Sequence, residues 1–351
     1  MRVALITDTH FGARSDSVHF DQYFKKFYDE VFFPELKSRN ITHIIHLGDT
    51  FDRRKYINYQ TLKSCREYFF DRLKILDIKC MMLAGNHDTY FKNTNDVNSP
   101  DLLLKDYDNI QVIDNPSNVV FGDANFCMIP WICAENFKQT MEVVEQSSAD
   151  ICLGHLELAG FAMFRGQENQ DGMDPTVFKS FKFVGTGHFH HKSTKGNINY
   201  LGNPYHMFWN DYEDDRGFHI LDTETLQLDF IKNPNTIFSK YYYDDEKEDP
   251  LKIDTEEFRS KLVKIIVINK KDFYKFDKFI DSIYKVNPIE LKIVEDFSEF
   301  ETEALDETID LEDTMTLLSN YVESIETDVD KEKLKTILKT LYVEAQHYEE
   351  V

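Results

Sequence analysis

Cysteine is scarce in this sequence, which holds five cysteines among 351 residues. The number is odd and no two cysteines form a CxxC pair, which argues against both a disulfide scaffold and a thiolate zinc site. Two of them, Cys80 and Cys152, fall within apolar runs that are typical of buried strands. We therefore expect reduced core thiols in a cytoplasmic protein, the full set being Cys65, Cys80, Cys127, Cys133 and Cys152.

Long hydrophobic runs are also missing. No apolar stretch approaches the roughly 20 residues that a membrane-spanning helix needs. The sequence begins with an apolar strand over Arg2–Thr7 that leads straight into a polar motif, without the pattern of a signal peptide. We expect neither a secretory leader nor a membrane partner.

Basic residues are fewer than acidic residues. The sequence has 40 Lys and Arg against 63 Asp and Glu, and its formal net charge is -23. Such a charge argues at first against nucleic acid as a partner, because DNA-binding proteins usually present a basic surface. The acidic residues are concentrated at Asp244–Asp249 and Glu295–Asp313, however, and a bound metal would supply local positive charge elsewhere. Net charge alone therefore does not exclude a DNA substrate.

Aromatic residues are plentiful, with 29 Phe and 18 Tyr, and 42% of the sequence is hydrophobic. This composition supports one large core and a smaller appendage. Short apolar runs alternate with runs of helical periodicity, such as Phe20–Phe33 and Tyr59–Leu76, and Pro34 is expected to end the first of these helices. Strand-rich sequence follows. The pattern predicts an α/β fold, in which a sandwich of two β-sheets is flanked by helices.

A domain boundary is expected near Asn233–Tyr243, where an Asn-Pro-Asn turn leads into an aromatic and then an acidic run. Beyond it, a strand at Leu262–Ile268, a helix at Asp272–Tyr284 and a strand at Ile289–Val294 predict a small β-α-β unit. Two helical segments with narrow apolar stripes follow. The expected domains are residues 1–235, 236–300 and 301–351.

Five short polar clusters each follow an apolar, strand-like run. Loops at strand ends are where ligands collect in α/β folds. Asp-x-His and His-x-His place alternate side chains on one side of an extended backbone, so one strand end can hold one ion with two ligands. Glycine beside them permits tight turns and close approach of the backbone. The clusters are Asp8-Thr9-His10, Gly48-Asp49, Gly85-Asn86-His87-Asp88, Gly154-His155 and Gly187-His188-Phe189-His190.

The side chains in these clusters are typical ligands of borderline divalent metals. Imidazole and carboxylate together suit Mn, Fe or Zn, and the lack of a thiolate speaks against a structural zinc. Two such ions can clamp the attacking and leaving oxygens of a displacement at phosphorus. A single Gly-Asp is commonly only a turn, and a single Asp-x-His is commonly structural. All five clusters in this order, each after a strand, indicate a two-metal phosphoesterase.

The clusters resemble the metallophosphoesterase signature D-x-H, G-D, G-N-H-D/E, G-H and G-H-x-H. Finer features, at Asp8–Gly12, Gly48–Asp52, Gly85–Asp88 and Tyr200–Pro204, are similar to the SbcD-type DNA-repair nucleases of that superfamily. In size and in its acidic, Phe- and Tyr-rich composition, the chain is most similar to the recombination endonuclease subunits of T-even-type phages. The resemblance implies a nuclease domain at 1–235, a cap domain for DNA recognition at 236–300 and ATPase-binding helices at 301–351.

The resemblance also implies the metal ligands and the catalytic residues. The first ion would be held by Asp8, His10, Asp49 and His190. The second ion would share Asp49 with the first and would add Asn86, His155 and His188. His87 would approach the scissile phosphate and assist the leaving oxygen, with Asp88 orienting its ring. Two divalent ions are expected, with Mn²⁺ as the usual choice of this family.

Three consecutive cations, Arg53, Arg54 and Lys55, stand just past the second cluster. They form either an exposed loop or contacts to the phosphate backbone of DNA, which give affinity without sequence preference. Asp52, beside them, stands where some family members carry His. The pair Asp52-Arg53 is also similar to the protein-phosphatase pattern G-D-x-x-D-R, so the substrate contacts of this loop stay open.

The resemblance implies an activity and two protein partners. The activity is 3′-to-5′ exonuclease action on duplex DNA and endonuclease action on single strands, in repair and recombination within the host cytoplasm. The terminal helices would either dock on an SbcC-type coiled-coil ABC ATPase or pack on the protein's own core. A homodimer is implied too, with Tyr59–Leu76 and Asp101–Tyr107 as candidate helices. Phe69, Phe70 and Leu102–Leu104 give these helices more apolar surface than a lone helix needs.

Two other functions stay open. A protein phosphatase or cyclic-nucleotide phosphodiesterase of the same fold would carry the same clusters, and Asp52-Arg53 favours it. The β-α-β unit and the terminal helices favour the nuclease. A non-catalytic scaffold would keep the fold without the chemistry, and the complete ligand set with His87 argues against it. Because duplex affinity comes mainly from cation–phosphate contacts, a nuclease this acidic should have low activity without its ATPase.

Overall fold

The computed structural model describes residues 1–164 and 167–295, together with Val322, Lys331, Lys333 and Leu334. The helices expected within 301–351 therefore lie outside the described residues, apart from these last four positions, which are helical. The strands that the described residues form are, in chain order, β1 Arg2–Ile6, β2 His43–His46, β3 Lys79–Leu83, β4 Ile110–Ile113, β5 Ser117–Phe121, β6 Ala124–Ile129, β7 Ile151–His155, β8 Ala162–Phe164, β9 Gln167–Glu168, β10 Phe183–Gly187, β11 Ser193–Lys195, β12 Ile198–Tyr200, β13 Gly217–Asp222, β14 Leu228–Lys232, β15 Phe238–Asp244, β16 Leu262–Asn269 and β17 Glu290–Val294.

Most of the strands assemble into two six-stranded sheets. The first sheet has the order β14-β13-β1-β2-β3-β4, and the second has the order β11-β12-β10-β7-β6-β5. Strands β1 to β4 are parallel to one another, as are β6, β7, β10 and β12 in the second sheet. Parallel strands end at the same edge of their sheet, so the loops that follow them can converge on one place.

The two sheets pack face to face around an apolar core. Val3 and Met81 of the first sheet meet Phe126 and Leu153 of the second sheet within one buried cluster. The outer faces are covered by helices, with a large aromatic cluster on the first sheet and a smaller cluster on the second. The predicted α/β fold, a sandwich of two sheets flanked by helices, is confirmed.

The first long helix runs on past the proline that was expected to end it. An α-helix at Val18–Phe27 continues through a π-turn at Tyr28–Phe32 into a further α-helix at Phe33–Ser38. In the π-turn, the Phe33 amide bonds to the Tyr28 carbonyl instead of the carbonyl one residue closer. Pro34 therefore enters at the start of a renewed α-segment, where its missing N–H is tolerated. The expected end at Pro34 is wrong for this reason.

Further helices and short helical turns lie between the strands. They are Tyr59–Cys65, a π-turn at Arg66–Phe70, Asp71–Ile75, Ser99–Leu104, Phe137–Gln146, Phe273–Lys285 and the short 3₁₀ turns Pro175–Phe178, Trp209–Asp211, Pro250–Lys252 and Thr255–Phe258. The helix at Phe137–Gln146 was not predicted from the sequence. No helix among the described residues is long and apolar enough to cross a membrane.

Two π-turns pack against each other over the first sheet. The ring of Tyr28 lies 5.4 Å from that of Tyr68 and 4.9 Å from that of Phe69, measured between centroids. Phe69 and Phe70 are fully buried in this cluster, so the expectation that they offer spare apolar surface for a dimer is wrong. Of the leucines expected beside them, Leu102 is 56% exposed.

A separate three-stranded sheet follows the sandwich, with the parallel order β15-β16-β17. The helix Phe273–Lys285 connects β16 to β17, in agreement with the β-α-β pattern of the sequence, and the Asp272 side chain caps it by accepting from the Lys275 amide at 3.0 Å. Strand β15 occupies a segment that the sequence assigned to a boundary. Its alternation explains the difference, because Tyr243 is buried in the small core while Tyr242 is exposed.

Candidate metal centre

The five polar clusters meet at one edge of the sandwich. In the first sheet, the neighbouring strands β1, β2 and β3 end just before the first three clusters. In the second sheet, the paired strands β7 and β10 end at the fourth and fifth clusters, with His155 opposite Gly187. The side chains brought to this edge are those of Asp8, His10, Asp49, Asn86, His87, Asp88, His155, His188 and His190.

Several of the predicted ligands have a strained backbone. The φ angles of Asp8, His10 and Asp49 are 52°, 41° and 53°, and that of His188 is 84°. Side chains other than glycine rarely adopt this left-handed region, and such outliers cluster at functional sites. Hydrogen bonds between loops hold them, since the Asp8 amide donates to the Gly48 carbonyl and the His10 amide to the Asp49 carbonyl.

Two glycines make room for the ligands. Gly48 has a φ of 98°, and a Cβ there would lie 2.6 Å from Nδ1 of His155. A Cβ at Gly85 would lie 2.2 Å from Oδ1 of Asp49. Both positions are closer than any real Cβ contact, so a larger residue would displace a predicted ligand. The glycines of the motifs are therefore required by close approach to side chains and not only by turn geometry.

One group of predicted ligands is Asp8, His10 and His190. One potential ligand atom from each lies within 4.8 Å of the others. The Nε2 atoms of His10 and His190 are 3.0 Å apart. The His188 amide donates to both Asp8 carboxylate oxygens at 3.1 Å, which fixes that carboxylate against the second sheet.

A second group contains His155, His188 and Asn86. Oδ1 of Asn86 lies 3.0 Å from Nε2 of His155 and 3.0 Å from Nδ1 of His188. The Nδ1 atom of His155 lies 2.7 Å from the Leu47 carbonyl, which can only accept, so Nδ1 is the donor of this bond. Nε2 is then the nitrogen that can bind a metal, in the arrangement typical of metal-bound histidines.

Asp49 lies between the two groups. Its Oδ2 atom is 3.7 Å from Nε2 of His10 and 3.3 Å from Nε2 of His155. Its other oxygen accepts from the His87 amide at 2.8 Å. The structure thus brings together all seven residues expected to bind metal, in two groups joined by one carboxylate.

The electrostatics of the site favour positive charge. Burial alone would raise the pKa of Asp49, but His155, His87 and His10 outweigh it and hold that pKa well below its usual range. Burial alone would lower the pKa of His155, but Asp49, followed by Asp8, raises it to about 9. The carboxylates therefore draw a positive charge into the site. Divalent ions fit this donor set, because imidazole and carboxylate groups suit such metals. The ring nitrogens and the Asn86 oxygen also lie close enough together to share one ion.

His87 forms a third group with His10 and Asp49, since one potential ligand atom from each lies within 4.8 Å of the others. Its ring lies 4.8 Å from that of His10, edge to face. Its Nδ1 atom is 2.7 Å from the Asp52 carbonyl, so the main chain orients the ring. The orienting contact expected from Asp88 is therefore made by Asp52 instead. Nδ1 is the donor of this bond, because a carbonyl oxygen can only accept.

Asp88 has a different task from the one expected. Its carboxylate accepts from the amides of Gly85, Thr50 and Phe51 at 2.9, 3.0 and 3.2 Å. These bonds join the loop after β2 to the loop after β3, which carry Asp49 and Asn86. Burial, to which Asp49 adds, raises the pKa of Asp88 to about 7. The residue acts on the ligands through the backbone that carries them.

The three cations after the second cluster lie on the flank of the site. Arg53 pairs with Asp16 at 3.0 Å and covers the ring of Tyr56, and its side chain is 30% exposed. Arg54 donates to the Thr89 carbonyl at 3.1 Å, and Lys55 is exposed. Two of the three cations are therefore held in place near the predicted metal ligands.

Two contributors to the site were not predicted from the sequence. The Asp52 carbonyl, which orients His87, is a main-chain group and leaves no signature in the residue type. Trp131 was also missed, although it is one of only two tryptophans. Its ring lies 5.1 Å from that of His188, and its amide bonds to the Ala84 carbonyl just before the third cluster. An Ile-Pro-Trp run directly after a buried strand is the signal that could have identified it.

The fold and the site together define a class of protein. An α/β sandwich with buried His, Asp and Asn side chains at the ends of strands from both sheets is the arrangement of metal-dependent phosphoesterases. The comparison with known families agrees: the chain belongs to the calcineurin-like phosphoesterase family, which it matches over residues 1–192.

Several individual proteins are similar to this chain. Exonuclease subunit 1 of Enterobacteria phage T4 is 34% identical over 316 residues, which cover 88% of this chain and 89% of that protein. The DNA double-strand break repair protein Mre11 of Sulfurisphaera tokodaii is 27% identical over 199 residues, covering 53% and 48% of the two chains. Among solved structures, the Pseudomonas putida nuclease MPE shares 20% identity over 57% of this chain and 67% of its own, with a TM-score of 0.29. The family resemblance drawn from the motifs is confirmed.

Proposed function

We propose that this protein is the nuclease subunit of a DNA repair and recombination complex. It would hydrolyse DNA phosphodiesters, as a 3′-to-5′ exonuclease on duplex DNA and as an endonuclease on single strands. One observation carries the proposal: all seven expected ligands converge at one edge of the sandwich. Asp8, His10 and His190 lie on one side of Asp49, and Asn86, His155 and His188 lie on the other. The substrate is inferred from the relatives, which are an exonuclease subunit and a DNA double-strand break repair protein.

Two divalent ions, most simply two Mn²⁺, are proposed for this site. Asp8, His10 and His190 would hold the first, and Asn86, His155 and His188 the second, with Asp49 bridging. When bound, such a pair would supply positive charge that polarises a phosphate and lowers the pKa of a water molecule. The residues around the ions then decide which phosphate is placed there and how the leaving group departs.

His87 is the proposed general acid. Its Nδ1 atom donates to the Asp52 carbonyl at 2.7 Å, which orients the ring. In the doubly protonated ring, Nε2 would give a proton to the departing sugar oxygen. Arg53, Arg54 and Lys55 are proposed to contact the phosphate backbone on the flank of the site, giving affinity without sequence preference. The Asp16 pair would hold Arg53 ready for this contact.

The rest of the molecule is assigned to recognition. Residues 236–300, with the three-stranded sheet, would act as the cap over DNA, beside the nuclease domain at 1–235. Residues 301–351 would bind an SbcC-type coiled-coil ABC ATPase, and this assignment rests on the sequence alone. A homodimer is proposed through the helices Tyr59–Cys65 and Ser99–Leu104, where Tyr59 is 86% exposed and Leu102 is 56% exposed.

The test is a panel of substrates assayed with and without Mn²⁺ and with and without the ATPase. The panel contains end-labelled duplex DNA, single-stranded DNA, an aryl phosphate monoester and a cyclic nucleotide. Mn²⁺-dependent DNA cleavage that rises with the ATPase supports the nuclease. Turnover of the small phosphates with DNA untouched would reject it in favour of a protein phosphatase or cyclic-nucleotide phosphodiesterase.

The same panel tests His87. Replacing it with alanine should lower DNA cleavage by about 10²–10⁴-fold while the ions stay bound, because the ring donates a proton and is not a ligand. His43→Ala, on strand β2 at the far end from the site, is the matched control and should cleave as the wild type does. Normal cleavage by His87→Ala would refute its assignment as general acid without affecting the choice of substrate.

A further inference from the structure

Arg216 is a buried cation outside the predicted site, directly before strand β13. Its side chain is only 5% exposed, and its guanidinium is held by groups from two connections, one between β12 and β13 and the other between β10 and β11. Nη2 pairs with Asp211 at 2.7 Å and with Asp214 at 3.1 Å. Nη1 donates to Oδ1 of Asn203 at 2.5 Å. None of the five sequence motifs contains this residue.

Nη1 of Arg216 also donates to the main-chain carbonyl of His190. The Asn203 amide donates to the same carbonyl oxygen at 3.3 Å. Gly202 also packs closely against this oxygen, since a Cβ at position 202 would lie 2.8 Å from it. The main chain of a predicted metal ligand is therefore held by a charged donor, an amide and a glycine that allows the close approach.

The acidic partners of Arg216 are themselves fixed. Oδ2 of Asp211 accepts from the amides of Met207 and Phe208 at 2.7 and 3.0 Å, and Asp211 is buried. Asp214 also bonds to Nδ1 of His191 at 2.7 Å, the residue next to His190. The guanidinium therefore has little freedom to move. It holds His190 directly and is linked to His191 through Asp214.

From these contacts we infer that Arg216 is a positioning residue for the first ion. It fixes the His190 main chain, and through it the angle at which the His190 ring meets Asp8 and His10. A planar guanidinium with several donors in fixed directions can join a carbonyl, an amide oxygen and two carboxylates at once. A lysine keeps the charge but offers one point of contact and cannot make this set of bonds.

This inference rests on the proposed two-ion site, and its test measures metal binding directly. Arg216→Lys is compared with wild type by titration calorimetry and by Mn²⁺ electron paramagnetic resonance. The variant should bind one ion about 10–100-fold more weakly, as is typical when a metal ligand loses its support. The affinity for the other ion should be unchanged, because the main chain that Arg216 holds is that of His190. DNA cleavage should return when Mn²⁺ is raised. The resonance signal of coupled ion pairs should fall at low Mn²⁺ and recover with it.

Two comparisons complete the test. Arg259→Lys makes the same change at an exposed ion pair with Glu256 and should bind both ions as wild type does. His190→Ala should weaken the same single ion that Arg216→Lys weakens. If Arg216→Lys does not fold, Asp214→Asn is used in its place. This variant removes the charged partner of the Arg216 guanidinium and weakens the contact with His191. It should weaken that same ion.

The outcomes distinguish failure of the positioning role of Arg216 from failure of the two-ion site itself. Two ions bound with wild-type affinity in Arg216→Lys, or in Asp214→Asn where that variant is needed, would overturn the positioning assignment while leaving the two-ion site intact. Equal weakening of both ions would also overturn it. Failure of the wild-type protein itself to bind two ions would reject the metal site, whatever the variants do.

Discussion

At the scale of single residues, chemistry was predictable from the sequence and backbone strain was not. The identity and spacing of the Asp, Asn and His ligands indicated a metal site, because few other uses explain those side chains at successive strand ends. The left-handed angles of Asp8, His10 and Asp49 leave no trace in residue type, since all three could equally be extended. The same holds for the Asp52 carbonyl, which acts through the main chain.

The motif glycines can be tested at this scale. In Gly85→Ala, the new methyl group would lie 2.2 Å from Oδ1 of Asp49 and force the bridging carboxylate away. Mn²⁺ affinity and DNA cleavage should each fall by at least about 10-fold, because loss of ligand geometry is felt by the metal. Calorimetric titration with Mn²⁺ measures the first effect and cleavage assays the second.

A matched control separates this effect from the general cost of replacing a glycine. Gly160 has a φ of 80° and open space where a Cβ would stand. Gly160→Ala should therefore lose about 1–2 kcal/mol of unfolding free energy from its left-handed backbone but keep wild-type Mn²⁺ affinity. If Gly85→Ala bound Mn²⁺ as tightly as this control, close packing of the two loops would have no role in metal binding.

At the scale of elements, periodicity predicted where helices and strands lie but not how they are interrupted. The π-turns at Tyr28–Phe32 and Arg66–Phe70 depend on an altered hydrogen-bond pattern that apolar spacing does not encode. Phe69 and Phe70, which belong to the second of these segments, are fully buried in the core. Strand β15 was missed because an aromatic run after a turn resembles a linker until its partner strand is known.

Phe69 was expected to be exposed and is buried, and this difference gives a stability prediction. Phe69→Ala should lower the free energy of unfolding by about 3–5 kcal/mol, because it removes a fully buried ring from an aromatic cluster. Leu102→Ala, at an exposed position, should change it by no more than about 0.5 kcal/mol. Denaturant unfolding of both variants measures the difference. Equal, small effects would mean that the Phe69 ring is not part of the core.

Leu102 also tests the proposed homodimer. Replacing this exposed leucine with glutamate should leave unfolding unchanged but shift the protein from dimer to monomer in sedimentation velocity, because a charge would be buried at the interface. A wild-type protein that is monomeric at every concentration tested would contradict the dimer. So would a Leu102→Glu variant that stays dimeric.

At the scale of the whole molecule, the two-sheet sandwich could be predicted because alternating strands and helices allow few architectures. The arrangement of partners could not, since it depends on surfaces of other chains. The net charge of -23 makes tight, unaided binding to duplex DNA unfavourable. An ATPase that contributes cations and encloses the DNA would solve this problem for a nuclease subunit.

Deleting residues 311–351 tests that division of labour. The truncated protein should no longer bind the ATPase in a pull-down, because the deletion removes both apolar stripes expected to dock on it. Its low Mn²⁺-dependent cleavage without the ATPase should match that of the full chain, since the proposed metal ligands all lie before residue 191. Intact ATPase binding after the deletion would move the docking surface elsewhere on the molecule.

The central claim is that one edge of the sandwich holds two ions bridged by Asp49. Anomalous scattering at the manganese absorption edge, from crystals grown with Mn²⁺, tests it most directly. We predict two peaks within bonding distance of Asp49, one beside Asp8, His10 and His190 and the other beside Asn86, His155 and His188. A single peak, or peaks away from these side chains, would contradict the two-metal site and the mechanism proposed from it.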